Sequence, residues 1–457
     1  MTRNGTSRSG SGQGIRFPFS LEQEFLRGQH ENDGSTAGFG QRPISSIGWR
    51  LRGPLDVETL RQALDDVVVR HEPLRTAVVK GDDGWQQEVN PPSPVRMVIE
   101  ELPDDGRPRD VVAEEFLNAA EAQPYDGAEL PQLRAFLGRF DTRDAVLVLV
   151  SYLPLVDFWS LGVVVRDLGD CYAARLSGQL PPPPSAPNYR AYVAEQGAMK
   201  PPEESFAYWR KKLQGARAFE LSADHPPAEN PSGTTRVDRF SVEPELGRTA
   251  LALARSSGCS PFMLLLAVHL EQLRRMTGRS DGVVWTLTSG PSRRKEQLQD
   301  AVGYFVNMSP LRVDFSDCET FRQLVERVRS ACLEAYQHEV PFVQLAQELG
   351  DVIGTLEQGG MVVPGFALFQ NLSQVDSRTI GGITFSSIQR RLSQDAGPGI
   401  PDDAILWTIE LDSDGVLCYA MSSSTDRYES ATTKAMVSDF QRILTCVTDP
   451  DRPLAEF

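Results

Sequence analysis

The side chains with the strongest claim to chemistry lie in one stretch, Ser151-Tyr-Leu-Pro-Leu-Val-Asp-Phe-Trp-Ser160. It holds two hydroxyls, a phenol and a carboxylate. A serine nucleophile would need a histidine beside Ser151 or Ser160, and none is near in sequence. Tyr152 carries a phenol of ordinary pKa about 10, a poor base at neutral pH unless a neighbouring cation depresses it. Asp157 is the remaining acid. Both it and Ser160 stand just before an apolar run at helical spacing, so either also reads as a helix N-cap. The five histidines (30, 71, 225, 269, 338) show no ligand spacing to one another or to the six cysteines (171, 259, 318, 332, 418, 446). No metal site is expected.

The elements that hold this stretch are legible on either side of it. Ala145 to Val150 is an unbroken apolar run with the length and β-branching of a strand buried on both faces. Beyond Ser160, residues Leu161, Val164, Val165, Leu168 and Cys171 recur at helical spacing. Strand, tight loop and helix together place the loop's side chains in the interior. Upstream, Ser20 and Gln23 form a capping-box pattern, Ile47–Leu51 reads as a strand and Asp56–Val68 as a helix. Strands within 84–99 and 133–150 flank an acidic helix near 110–123. Gly178-Gln-Leu-Pro-Pro-Pro-Pro-Ser-Ala-Pro187 is a polyproline-type spacer. After it come aromatic helices, one of them (206–213) carrying the basic stripe Arg210-Lys-Lys212. Ser260-Pro261 then opens an apolar helix in which His269 reads as a core residue. Gly282–Thr288 reads as a strand.

At 457 residues the chain is long enough for more than one domain. A net charge of −16 argues against nucleic acid as a partner. No apolar run approaches the roughly 18 residues of a membrane span. Residues 1–15 are rich in Gly, Ser and Thr with no apolar core, and read as a disordered leader rather than a secretory signal. Scattered cysteines without a C-x-x-C pair read as reduced core thiols of a cytoplasmic protein.

The 151–160 stretch also carries a family resemblance. The chain resembles the condensation domains of nonribosomal peptide synthetases, in which the same strand, loop and helix bear His-His-x-x-x-Asp-Gly-Trp-Ser. Aligned on Asp157, Trp159 and Ser160, Tyr152 and Leu153 fall where the two histidines belong, and Phe158 where the glycine belongs. Other landmarks follow in order: Ser20 and Gln23; Arg70-His-Glu-Pro-Leu-Arg-Thr76; Tyr125-Asp126 and Leu130–Leu137; Gly303-Tyr-Phe-Val-Asn307 with Arg312; His338-Glu-Val-Pro-Phe342; Pro364–Asn371; Asp449–Leu454. The resemblance runs from about residue 16 to 456.

The resemblance implies an α/β fold of two chloramphenicol-acetyltransferase-like lobes, arranged as a V with a tunnel between them. Its boundaries would be a leader over 1–15, an N-terminal lobe over 16–177, a Pro-rich linker over 178–200 and a C-terminal lobe over 201–457. Tyr152, Leu153, Phe158, Trp159, Ser160, Trp285 and Asn307 would line the tunnel and converge at its centre. Asp157 would form a structural ion pair with Arg293 or Arg294, and His71 would be structural.

In the family the second histidine positions or deprotonates the acceptor amine. Leu153 does neither, and a benzyl group at 158 fills a passage where glycine admits substrate. The resemblance therefore implies a stand-alone, diverged, amide-forming acyltransferase of antibiotic-type biosynthesis whose catalytic group is unassigned. The alternatives are a non-catalytic module that binds a loaded carrier protein and recruits other enzymes, or an ester-forming acyltransferase. The chain shows no carrier attachment motif. It would hold no cofactor, and a carrier-protein partner would supply the phosphopantetheine thioester.

Overall fold

The computed structural model describes residues 14–456 apart from 31–38, 40–43, 82–83, 124, 126–127, 184–186, 230, 357–362, 371–375, 397–402 and 412–415. Most of the leader, part of the Pro run and Asp126 lie outside the described residues. The leader ends earlier than its composition suggests: Ile15–Phe17 is a strand paired with Gln87–Val89.

Two large sheets carry the chain. The first runs, edge to edge, through Thr379–Ile380, Ile383–Ser387, Ile44–Arg52, Asp144–Tyr152, Arg134–Asp141 and Arg96–Glu101. The apolar run 145–150 thus sits on an interior strand, between Ile44–Arg52 and Arg134–Asp141, and is buried throughout. The second sheet runs through Asn307–Asp314, Asp281–Thr288, Val363–Gln370, Ala404–Leu411, Leu417–Ser424, Thr235–Ser241 and Gln394–Ala396. Each sheet has its own hydrophobic core, one built mainly from residues before 178 and the other from residues after 208. We call these the N lobe and the C lobe.

The chain does not divide cleanly at the spacer, which corrects two expectations. Residues 379–387, from the C-terminal half, complete the N-lobe sheet by antiparallel pairing of Thr384–Ser387 with Trp49–Arg52. Val302 and Tyr304 also belong to the N-lobe core. Nor is 178–200 all linker. Its second part is the helix Tyr189–Ala198, capped by Asn188, whose Tyr189, Tyr192 and Val193 are buried against Leu298, Ala301 and Phe305 in a third cluster. A Pro run hides a helix that begins only two residues beyond it.

Among the described residues no single helix is long and apolar enough to cross a membrane. The apolar helix Pro261–Thr277 and its predecessor Pro244–Ser256 qualify only as a pair, and they bend by 109°. Pro261–Thr277 is a core helix, capped by Ser260, with every residue from Met263 to Leu273 buried.

His269 lies in that run, its ring stacked on Phe366 with centroids 5.0 Å apart. Gln272 Nε2 donates to the Met436 carbonyl (2.7 Å), which leaves Gln272 Oε1 to accept from His269 Nδ1 (3.2 Å). Burial pushes the imidazole pKa down to about 4, with the Gln272 bond opposing it. The folded protein therefore holds His269 neutral while the unfolded chain takes up a proton near pH 6.5. Stability should be lost as pH falls from about 6.5 to about 4, by on the order of 3 kcal/mol, and this contribution should be absent above pH 6.5. In His269→Gln, thermal midpoints recorded across that window should fall less steeply than in wild type. An unchanged slope would contradict the assignment.

Candidate functional site

The motif loop is held from three directions. Gln23, on the helix Leu21–His30, donates Nε2 to the Pro154 carbonyl (2.8 Å), while its amide oxygen accepts from the Ser20 backbone N–H (2.8 Å). Ser45, on the strand beside the motif strand, donates Oγ to the Val156 carbonyl (2.6 Å). Asp157 then caps the motif helix Phe158–Leu176, its Oδ1 accepting from the Ser160 backbone N–H at 2.7 Å. Of the two caps compatible with the sequence, Asp157 is the one used.

The third direction is the C-terminal half of the chain. Asp157 Oδ2 accepts from the Phe305 backbone N–H (3.0 Å), and its own N–H donates to the Gly303 carbonyl (3.0 Å). Arg293 Nη2 lies 3.3 Å from Asp157 Oδ1 and donates to Ser160 Oγ at 2.7 Å. Arg293 Nη1 donates to the carbonyls of Leu298, Gln299 and Ala301, and the guanidinium sits 4.0 Å from the Phe305 ring centroid. Asp157 and Arg293 retain 2% and 1% of their side-chain exposure. Burial lowers the Arg293 pKa, and the Asp157 carboxylate opposes that shift. Arg294 does not reach Asp157. It pairs with Glu339 and donates to the Tyr336 carbonyl. The retained aspartate is thus part of an inter-segment latch, with both carboxylate oxygens taken up by partners within the fold.

Gly303 shows how tightly the latch is packed. A Cβ there would stand 2.1 Å from the Tyr189 ring. That ring is pinned in turn, its hydroxyl bonding Ser20 Oγ (2.9 Å) and the Tyr304 carbonyl (2.6 Å). Gly303→Ala should cost about 3 kcal/mol, the upper end for overpacking, because neither neighbour can yield. A thermal midpoint equal to wild type would show that the latch is looser than it looks.

The tunnel residues inferred from the resemblance do not meet at one point. Tyr152 is 1% exposed and lies inside the N-lobe core, stacked on Tyr125 (6.1 Å) with Phe39 at its edge (6.4 Å). Ser160 is spent in the latch, its Oγ also bonded to the Gly303 carbonyl and N–H. Trp159 donates Nε1 to the Gln299 carbonyl (2.9 Å). Trp285 and Asn307 do come together, around Phe342: the Trp285 ring meets Phe342 edge-on at 5.6 Å. Asn307 Oδ1 accepts from the Phe342 N–H (2.8 Å), while its Nδ2 donates to Glu339 and the Val340 carbonyl. That grouping belongs to the C lobe. His71 bonds Asp167 (2.9 Å) at the end of its helix, a structural contact.

Three motif residues are half-exposed, Leu153, Phe158 and Trp159. Leu153 packs on the N-lobe core. Phe158 reaches across to Phe369 on the C-lobe strand Val363–Gln370, with ring centroids 5.3 Å apart. Hydrocarbon thus stands at the loop position that the resemblance assigns to the second histidine, and two phenyl rings, Phe158 and Phe369, meet between the sheets. Phe369 went unnoticed in the sequence, although it lies within the landmark 364–371.

A family model described as Condensation domain matches residues 44–457. The chain belongs to the condensation-domain family. Its fold is the two-lobed, chloramphenicol-acetyltransferase-like α/β fold of those domains, which operate in nonribosomal peptide synthesis. It is 31% identical over 444 residues to a probable non-canonical nonribosomal peptide synthetase, CymA of Salinispora arenicola, covering 94% of this chain but 5% of that protein. The chain therefore spans only a small part of that curated relative's length. Among solved structures, SgcC5 from Streptomyces globisporus, in complex with (R)-(-)-1-(2-naphthyl)-1,2-ethanediol and sucrose, is 37% identical with a TM-score of 0.88. That match covers 95% of this chain and 100% of SgcC5. The X-domain of teicoplanin biosynthesis, solved in complex with OxyB, shares the fold at 23% identity and a TM-score of 0.71, covering 100% of this chain and 98% of the X-domain.

Proposed function

We propose that this condensation-domain protein receives a carrier-borne acyl or aminoacyl thioester between its lobes and presents it without forming the bond itself. The observation that carries the reading is the Phe158–Phe369 contact beside Leu153. Acyl transfer to an amine requires a group to manage the amine's proton and room for two substrates in line. The site provides neither at the family's position. The carrier would bring its own phosphopantetheine, and other biosynthetic enzymes would act on what is presented. The complex of the X-domain with OxyB is a precedent for this fold binding a second enzyme.

Bond formation by placement alone is the second reading. It is favoured by the whole-length likeness to SgcC5, which was solved in complex with an aryl ethanediol. The experiment is mass spectrometry of acyl- and aminoacyl-loaded carriers incubated with the protein and either an amine or an aryl diol. It is run beside a binding measurement with the same loaded carriers. Binding without an amide or ester product is the expected result. Product above the enzyme-free control would favour the second reading.

A further inference from the structure

The N-lobe sheet ends, on the side away from residues 379–387, in the strand Arg96–Glu101. It reads Arg-Met-Val-Ile-Glu-Glu, with Pro94 before it and Pro103 after it. An edge strand presents unpaired backbone donors and acceptors, which proteins commonly guard with charge or proline. Here the prolines confine any pairing to the residues between them. Those residues lie open: Arg96, Ile99, Glu100 and Glu101 are exposed, Ile99 by 40%.

The ladder on the inner side decides which backbone groups face outward. The strand runs parallel to Arg134–Asp141, with Glu101 in register with Arg139. Leu102 N–H donates to the Arg139 carbonyl (2.8 Å), extending that ladder, so the even-numbered residues spend their backbone groups on the neighbour. Met97, Ile99 and Glu101 turn theirs outward. Val95 does the same, and its N–H is taken by Asp65 Oδ1 (2.8 Å). Among the described residues nothing bonds the outward groups of Met97, Ile99 and Glu101. Glu101 stands 3.7 Å from Arg139, whereas Arg96 and Glu100 have no ionic partner among the described residues.

This edge is complementary to itself. Residues opposed across a two-fold axis must share a sheet face, so each odd residue meets an odd one and each even residue an even one. Setting Val98 against its own copy opposes Met97 to Ile99 and Arg96 to Glu100, each twice. Met97 and Ile99, whose backbone groups face outward, then form the hydrogen-bonded pairs, and Val98 the non-hydrogen-bonded pair on the axis. One face reads Arg–Glu, Val–Val, Glu–Arg. On the other, Ile99 covers Met97, which already belongs to the N-lobe core. Setting Ile99 against itself would oppose Glu100 to Val98 and Glu101 to Met97, and setting Met97 against itself would oppose Arg96 to Val98. Charge selects the first register.

We propose that this edge joins two copies of the chain, antiparallel across a two-fold axis, into one continuous sheet. The two-fold closes the assembly, since each copy uses the same edge once.

Sedimentation equilibrium of the full chain should show a reversible monomer–dimer system. It should depend on concentration, because one strand pairing falls below the roughly 1,000 Å² of a stable interface. Arg96→Glu and Glu100→Arg each oppose like charges twice, and should raise the dissociation constant at least about tenfold. Combining them restores opposite charges and should restore the dimer. At dilutions where the chain is monomeric, all three variants should keep the wild-type thermal midpoint, since neither residue has an ionic partner in its own chain. With oxidised glutathione, Val98→Cys should close a disulfide across the axis and Glu100→Cys should not, because only residues 98 stand opposite their own copies. A monomer at every concentration overturns the proposal. So does a dimer indifferent to the charge reversals, or one that Glu100→Cys locks as readily as Val98→Cys.

Discussion

Asp157→Ala should lower stability by roughly 3–5 kcal/mol, the range for stranding one member of a buried ion pair. The substitution removes the acceptor for two backbone N–H groups, Ser160 and Phe305, and the counter-ion of an Arg293 side chain that is 1% exposed. The guanidinium keeps its three carbonyl partners, so it stays in place as an uncompensated charge instead of swinging out to water. Thermal midpoints and protease susceptibility would register the loss. The double variant Asp157→Ala/Arg293→Met should be less destabilised than the sum of the two singles, by about 0.5–3 kcal/mol, because the second change removes the stranded charge. Loss of carrier binding by Asp157→Ala at an unchanged midpoint would contradict the structural role. It would return Asp157 to the substrate site.

What the sequence made legible divides along physical lines. The strand through Ala145–Val150, the helix after Asp157 and the Ser260-Pro261 helix start were readable because period, burial and capping are local. The Asp157–Arg293 pair was readable only to within two candidates. Which of two adjacent arginines turns inward depends on the short turn after Gly290, whose φ is +79° and where a Cβ would meet the Phe305 carbonyl at 2.3 Å. The crossover of residues 379–387 into the other lobe's sheet could not be read, since nothing local tells an edge strand which sheet to join. Tyr152 was misassigned for a related reason. Its family position suggested the tunnel, yet strand alternation turns it onto Tyr125 and Phe39 in the core. The strand Ala404–Leu411 carried a usable signal that was missed: in Ala404-Ile-Leu-Trp-Thr-Ile-Glu-Leu411 the polar residues fall on one face of a period-2 pattern.

Restoring the family residues gives the strongest functional prediction. Phe158→Gly removes one ring of the pair with Phe369 at a cost of about 1 kcal/mol in aromatic contact. It leaves Asp157's bonds to Ser160 and Phe305 untouched, since those use only the Asp157 side chain and backbone N–H groups. Entry of a pantetheine-type ligand should accelerate by about one to two decades in association rate, read by stopped-flow fluorescence. Turnover should stay absent in this variant, because access alone supplies no proton acceptor while Leu153 remains. Adding Leu153→His places an imidazole on the half-exposed loop position, and general-base assistance is worth about 10²–10⁴-fold. Product from loaded carriers should therefore appear in Leu153→His/Phe158→Gly and in neither single variant. The requirement for both changes follows from the geometry, in which one residue withholds the chemistry and the other the space. Robust wild-type turnover that survives both Leu153→Ala and Phe158→Gly would refute the closed-passage reading. Catalysis would then have to depend on groups elsewhere in the cleft.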